Sequence, residues 1–218
     1  MVPESILALF DAQLRPPGVY EGPGYTMVFR PPEDGDVEAL VAKLREHGGY
    51  REWKYYSHDG PELRERLLAA GLMPDEEETV LVAEAASLPA PPPDVDLREE
   101  VDAFVELAEL VFGRGSHGGF PDDAVPVVAY VDGRPVSGGR VDLYRNGEEF
   151  AGLFGGVTLP EFRGRGLYRA TVARRAEIAR DAGYRWLCVD AAETSRPILE
   201  RLGFVQITTT TPFNFPKR

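Results

Sequence analysis

The chain has 218 residues, room for one large domain or two small ones. Its formal net charge is −12, so phosphate backbones would repel it: general nucleic-acid binding is disfavoured and cationic partners such as amines suit it better. Cys188 is the only cysteine, which rules out an intrachain disulfide and a CxxC metal site, and no apolar run approaches the ~18–20 residues of a membrane span. His47, His58 and His117 are scattered, so no metal is expected. Residues 1–5 lack the basic region of a signal peptide, and the expected location is cytoplasmic.

In chain order, a helix is expected over 36–47 and a strand around Trp53, Tyr55 and Tyr56, whose rings are read as packing. A second helix covers 61–70, closed by Gly71-Leu72, and a strand follows over 78–82. Prolines 89 and 91–93 then form a stiff spacer. They divide the chain into an N-terminal part, 1–88, and a C-terminal part, 89–218.

The C-terminal part opens with a helix over 97–112, with Val101, Phe104, Val105, Ala108 and Val111 at helical spacing. A glycine-rich loop carrying His117 follows. Strands over 125–131 and 135–144 are joined at Asp132-Gly133, a hairpin signal, and Asn146-Gly147 marks the next turn. A mostly apolar strand over 148–159 reads as central. A helix over 166–182 is expected to bury Leu167, Ala170, Thr171, Ile178 and Ala182, and Gly183 ends it. A buried parallel strand over 184–189, a short helix over 195–202 and a threonine-rich strand over 205–215 complete the series.

The order helix, strand, helix, glycine plus large apolar residue, strand occurs in both parts. Gly49-Tyr50-Arg51-Glu52-Trp53 echoes Gly183-Tyr184-Arg185-Trp186, which suggests a duplicated unit. The first copy carries acidic residues where the second carries Arg163, Arg165 and Arg169, so it should not hold the same ligand.

Those arginines belong to the most telling segment, Pro160-Glu161-Phe162-Arg163-Gly164-Arg165-Gly166-Leu167-Tyr168-Arg169. A strand that gives way to a helix through a glycine and arginine turn makes an anion cradle: free amides and the positive helix end converge on one spot. It is not a P-loop, because no lysine and hydroxyl residue follow the glycines as that motif requires. It is not a dinucleotide fingerprint either, because Arg169 stands where the third small residue belongs.

Arg163-Gly164-Arg165-Gly166-Leu167-Tyr168 resembles the [RQ]xxGx[GA] motif of the GNAT superfamily, the acetyl-CoA-dependent N-acetyltransferases, and Leu199-Glu200-Arg201-Leu202-Gly203-Phe204 resembles that family's LYxxLGF segment. The resemblance covers about 126–215 and implies an α/β (α+β) fold with a mixed central sheet flanked by helices. The N-terminal part resembles a degenerate second copy, as in tandem members. The resemblance further implies acetyl-CoA as cosubstrate, its pyrophosphate on Arg163, Gly164, Arg165, Gly166, Leu167 and Tyr168, and its arm beside Gly156, Val157 and Thr158.

Four positions depart from the family. Tyr168 stands where the motif ends in glycine or alanine. Leu199 stands where a tyrosine often protonates the leaving thiolate, Ala192 where an asparagine contacts the arm, and Gly152 near a frequent glutamate base. Asp190, at the end of the strand after the helix, and Glu148 or Glu149, leading the central strand, are the candidate bases. Tyr144, Tyr168 and Cys188 are stand-ins for the acid, and His117 borders the expected acceptor site. The expected activity is acetyl transfer to a primary amine of a small molecule or peptide, with no nucleic-acid or membrane partner. The last strand could pair a homodimer. The alternatives are a non-catalytic coenzyme A sensor or interaction module, and a nucleotide-binding protein of another kind.

Overall fold

The computed structural model describes residues 5–22, 25–31, 35–113, 120–144 and 149–215. Contacts group the chain into two compact units. One comprises the described residues of 81–190 and 194–205, and the other those of 5–80, 191–193 and 206–215.

The N-terminal residues build most of the second unit. Its elements are α1 (Ile6–Leu14), β1 (Val19–Gly22), β2 (Tyr25–Val28), α2 (Val37–Glu46), β3 (Tyr50–Tyr56), α3 (Pro61–Ala69), β4 (Met73–Pro74) and the first residues of β5 (Glu78–Glu84). Asp36 caps α2 by accepting from the Glu38 and Ala39 amides. A core of Val37, Leu40, Val41 and Leu44 from α2 packs on Val28, Trp53, Tyr55, Leu67 and Leu72. The rings of Trp53, Tyr55 and Tyr56 are all buried, as packing requires. α1, β1 and β2 have no counterpart in the expected series.

The other unit follows the expected order with adjustments. It contains β6 (Asp96–Arg98), α4 (Val101–Phe112), β7 (Ala124–Val131), β8 (Arg134–Asp142), β9 (Phe150–Thr158), α5 (Leu167–Asp181), β10 (Trp186–Ala191) and α6 (Arg196–Arg201). The expected helix over 97–112 therefore splits. Its first residues form β6, antiparallel to β7 with Leu97 opposite Ala129, and the helix proper begins at Val101. Asp132 and Gly133 both have positive φ, the geometry of a two-residue hairpin. Asn146-Gly147 lies outside the described residues. The strand order is β5, β10, β9, β8, β7, β6, a mixed sheet with β9 and β10 parallel and the β6–β9 neighbours antiparallel.

Two adjacent glycines of β8 show how the helices cover this sheet. A Cβ on Gly138 would meet Leu107 and Phe104 of α4, while one on Gly139 would meet the Arg175 guanidinium of α5. Successive strand residues face opposite ways, so α4 and α5 lie on opposite faces. α5 buries Leu167, Ala170, Thr171, Val172, Ala173, Arg175, Ala176 and Ala179. Ile178 is only half-buried and Ala182 is exposed, so the true stripe departs from the expected one. Arg175 is 1% exposed and occupies the space above Gly139. Its Nε donates to Thr171 O and its Nη1 to Arg140 O, while Nη2 has no partner.

One irregularity creates the site. The β9–β10 ladder runs Phe150–Trp186, Ala151–Leu187, Gly152–Cys188 and then stops, although β9 continues to Thr158 and β10 to Ala191. Beyond Gly152 the two parallel strands part. On its other side β9 stays paired with β8, with a shift of register opposite Gly138 and Arg140. Gly155, at φ +61, absorbs the extra β9 residues there.

β11 (Val205–Asn214) lies almost wholly in the N-terminal unit, where it pairs antiparallel with β3 (Thr211 opposite Tyr55) and with β4.

Candidate functional site

The turn between β9 and α5 is held by short local bonds. Pro160–Phe162 form a single 3-10 turn, and the amides of Phe162 and Arg163 donate to Leu159 O and Pro160 O. Gly164 and Gly166 follow at φ +76 and +81, a left-handed conformation that residues with a Cβ adopt at a cost. Gly166 is the N-cap of α5, and the first intrahelical bond is Ala170 N–H to Gly166 O. The amides of Leu167, Tyr168 and Arg169 thus have no partner inside the helix and lie at its positive end.

These amides border a cleft of about 500 Å³. Of the expected coenzyme residues, Gly156, Val157, Thr158, Arg163, Gly164, Gly166, Leu167 and Tyr168 line it, with Thr194, Ser195 and Ile198 near α6 and with Val111 and Phe112 from the end of α4. Arg165 is not in the lining; its guanidinium lies 5.4 Å over the Phe162 ring. Arg163 is exposed, and its Nε donates to Thr158 O, tying the turn to the end of β9. Phe162 and Arg169 also line the cleft.

Tyr168 occupies the motif position where a small residue is usual. Its ring turns from the amides towards the sheet and lies over Gly156, where an added Cβ would sit 2.8 Å from a ring carbon. Burial holds its phenol above the ordinary tyrosine range, while Arg175 and Ser195 pull the other way. We expect Gly156→Ala to displace this ring, lower stability by about 1–3 kcal/mol and weaken binding in the cleft. A melting curve alongside a titration reads both, and an alanine that changes neither would contradict the close packing.

The remaining candidates are dispersed. Asp190 is half-buried near the end of β10, and the residue that caps α6 is Ser195. Glu149 precedes β9, where its carbonyl accepts from the Arg185 and Trp186 amides. Glu148 and His117 lie outside the described residues. Leu199 is fully buried, Ala192 is exposed, and Cys188 is buried beside Gly152. A side chain at Gly152 would strike the Phe154 ring and the Tyr144 hydroxyl, each at 2.5 Å, so the place of the family glutamate is already filled. Among the described residues there is no group of three or more metal-ligating side chains, and no helix is long and apolar enough to cross a membrane.

A parted pair of parallel strands thus has an amide cradle at the end of one of them. The profile of the acetyltransferase (GNAT) family matches residues 78–204, more than half of the sequence. The chain belongs to the GNAT family. The GNAT fold extends over the whole chain. A GCN5-related N-acetyltransferase from Kribbella flavida superposes with TM-score 0.67 at 18% identity, covering 100% of this chain and 97% of that one. A putative GNAT acetyltransferase from Novosphingobium aromaticivorans gives TM-score 0.56 at 19% identity, with 92% of each chain covered. A GCN5-related N-acetyltransferase from Sphaerobacter thermophilus gives 0.57 at 16%, covering 89% and 74%. No protein of curated function matches the sequence. At such identities the neighbours establish the shared fold alone.

Sequence reasoning found the cradle because glycine and arginine content is local. It missed the parting of β9 from β10 and the walls added by Val111, Phe112 and Ser195, which come together only through tertiary structure.

Proposed function

We propose that this GNAT protein moves an acetyl group from acetyl-CoA to a primary amine of a small molecule or peptide. The cleft carries the reading: it starts at a helix N-terminus with unpaired amides and follows the edge of β9 that β10 leaves open. That donor set suits a diphosphate, which needs several N–H donors and positive charge. Arg163 and Arg169 supply charge in an acidic chain. The open β9 edge suits an extended amide-bearing arm, which would pair with it as an added strand. Bound there, acetyl-CoA would supply an activated thioester. Gly164, Gly166, Leu167 and Tyr168 would hold the diphosphate, and Gly156, Val157 and Thr158 would align the arm.

Positioning can carry much of the rate, because a well-oriented amine and thioester gain up to ~7–11 kcal/mol over free reactants. Asp190, near the end of β10, and Glu149, just before β9, are the proposed proton acceptors, and His117 is a proposed contact to the acceptor. The N-terminal part, 1–88, fits a degenerate copy preceding the acetyltransferase domain, 89–218, since both parts repeat helix, strand, helix, strand.

Calorimetry with acetyl-CoA tests the reading, followed by thiol release with a panel of primary amines. Heat, a thermal shift and amine-dependent thiol are expected. No heat and no shift at millimolar ligand would sink it. The sensor reading draws on the leucine at 199 and the missing side chain at Gly152, and binding without thiol release across the panel would favour it.

A further inference from the structure

The place where β9 and β10 begin to part has a carboxylate beside it that neither motif touches. Gly152 is the last β9 residue paired with β10, opposite Cys188, and its partner on the other side is Asp142 of β8. Cross-strand partners share a face with Cβ atoms ~4.5–5.5 Å apart. Asp142, Gly152 and Cys188 therefore form a row across three strands at the apex of the fork. We propose that Asp142 is the carboxylate that receives the acceptor amine and takes its proton as the nitrogen attacks the thioester, an inference that rests on the acetyltransferase reading.

Three observations place it there. First, β8 alternates from Gly138, which faces α4, through Gly139, which faces α5, so Arg140 and Asp142 lie on the α4 face. The turn-to-helix cradle and Tyr168 belong to the α5 side, while Val111 and Phe112 of α4 also line the cleft. A coenzyme arm entering from the cradle and an amine arriving from the α4 side would thus meet at the fork. Six residues separate Thr158 from Gly152, about 20 Å of strand, so the apex is remote from the diphosphate end.

Second, the surroundings of Asp142 fix its carboxylate in place beside the apex. Asp142 is 5% exposed, and its Oδ1 accepts from Arg140 Nε at 2.8 Å. The Arg140 guanidinium lies 5.3 Å from the Phe154 ring centre. The Tyr144 hydroxyl and the Phe154 ring hang over Gly152 and fill the space a side chain would take. Because position 152 is glycine, no side chain of its own stands between Asp142 and Cys188 along the row.

Third, the electrostatics suit a base. Burial pushes the Asp142 carboxyl above the ordinary aspartate value, Arg140 pulls it down, and the charge of Asp123 adds to the rise. Across Gly152 the other titratable groups are Tyr144 and Cys188, and α4 covers the same face of β8 with Phe104 and Leu107 above Gly138. Arg175 reaches Arg140 O from the opposite side.

The step balances as follows. The amine lone pair forms the N–C bond to the thioester carbonyl, and an N–H proton passes to Asp142. The C–S bond breaks with its electron pair going to sulfur, which leaves as thiolate and takes up a proton. Asp142 returns its proton to solvent, and the products are amide and free thiol.

The test uses the full chain, acetyl-CoA and the amine panel. Asp142→Asn keeps an oxygen for Arg140 but cannot take a proton. It should lower kcat/KM by about 10²–10⁴-fold with coenzyme A affinity unchanged. Asp142→Glu should restore part of the loss. In the wild type, log(kcat/KM) should climb with slope one as the amine deprotonates and steepen towards two below the Asp142 pKa, at a pH above the usual ~3.9. Asp142→Asn should stay at slope one. Should that variant fail to fold, the wild-type profile decides alone: steepening supports the assignment and a uniform slope overturns it. Thiol release that Asp142→Asn retains overturns this inference only. No release by the wild type with any amine overturns it together with the acetyltransferase reading.

Discussion

Gly166→Val should cost coenzyme A about a hundredfold or more in affinity while leaving a folded protein. The reason is backbone rather than space. A Cβ at Gly166 would approach only the flexible end of Arg169, at 3.3 Å, but φ is +81. A β-branched residue held there stores about 1–3 kcal/mol of strain or swings the peptide planes on either side. Those planes aim the Leu167 and Tyr168 amides. Each hydrogen bond to a charged group is worth about 1.5–3 kcal/mol, so misaiming two removes most of the grip on a diphosphate. Gly183→Ala, at φ +94 at the far end of α5 with nothing within 4 Å, is the control. It should lower the melting temperature comparably and leave coenzyme A titrations untouched. If the two variants titrate alike, the cradle is not the anion site.

Asp59→Ala should be among the most damaging single changes in the N-terminal unit, at about 3–5 kcal/mol. Arg15 is 2% exposed, its guanidinium 4.1 Å from the Tyr56 ring centre. Nη2 donates to Asp59 Oδ1 at 2.5 Å and to Phe29 O at 3.0 Å, and Nη1 donates to Asp11 Oδ1 at 2.8 Å. Burial works against the charge on Arg15, and the hydrogen bonds from Asp11 and Asp59 outweigh it, so its pKa stays raised. Removing Asp59 leaves a buried cation with only the half-buried Asp11 as its carboxylate partner. It also strips the Tyr56 amide of its acceptor, Asp59 Oδ2. Pairing the change with Arg15→Met should recover more than half of the loss, because the uncompensated charge goes with it. Hydrogen exchange along β3 and β11 measures this within the unit. A loss under about 1 kcal/mol, or strict additivity in the double variant, would show that the ion cluster is ornamental.

What the sequence disclosed follows from how local each signal is. The hairpin at Asp132-Gly133, the cradle and the two helix–strand pairs rest on residues a few positions apart, and each lies where expected. β6 runs into the expected helix because Asp96-Leu97-Arg98 is only three residues, too short for a periodic signal, and it exists by pairing with β7. β1 and β2 escaped for the same reason, being four residues each. On α5, Arg175 is in the core because Gly139 clears a space for it, which its residue type does not announce. Asp142 could not be singled out at all. Its significance depends on which residue of β9 stands opposite, and register is a property of the folded sheet.

β11 has a consequence for how the protein is made. The unit that begins the chain completes its sheet with residues 206–214, which are translated after every strand of the other unit. Synthesis runs at only ~5–20 residues per second. The nascent N-terminal unit must therefore wait many seconds with the β3 edge uncovered, while the other unit is completed first. A ribosome stalled after α6 would release a molecule whose cleft elements are all present and whose opening third is unfinished.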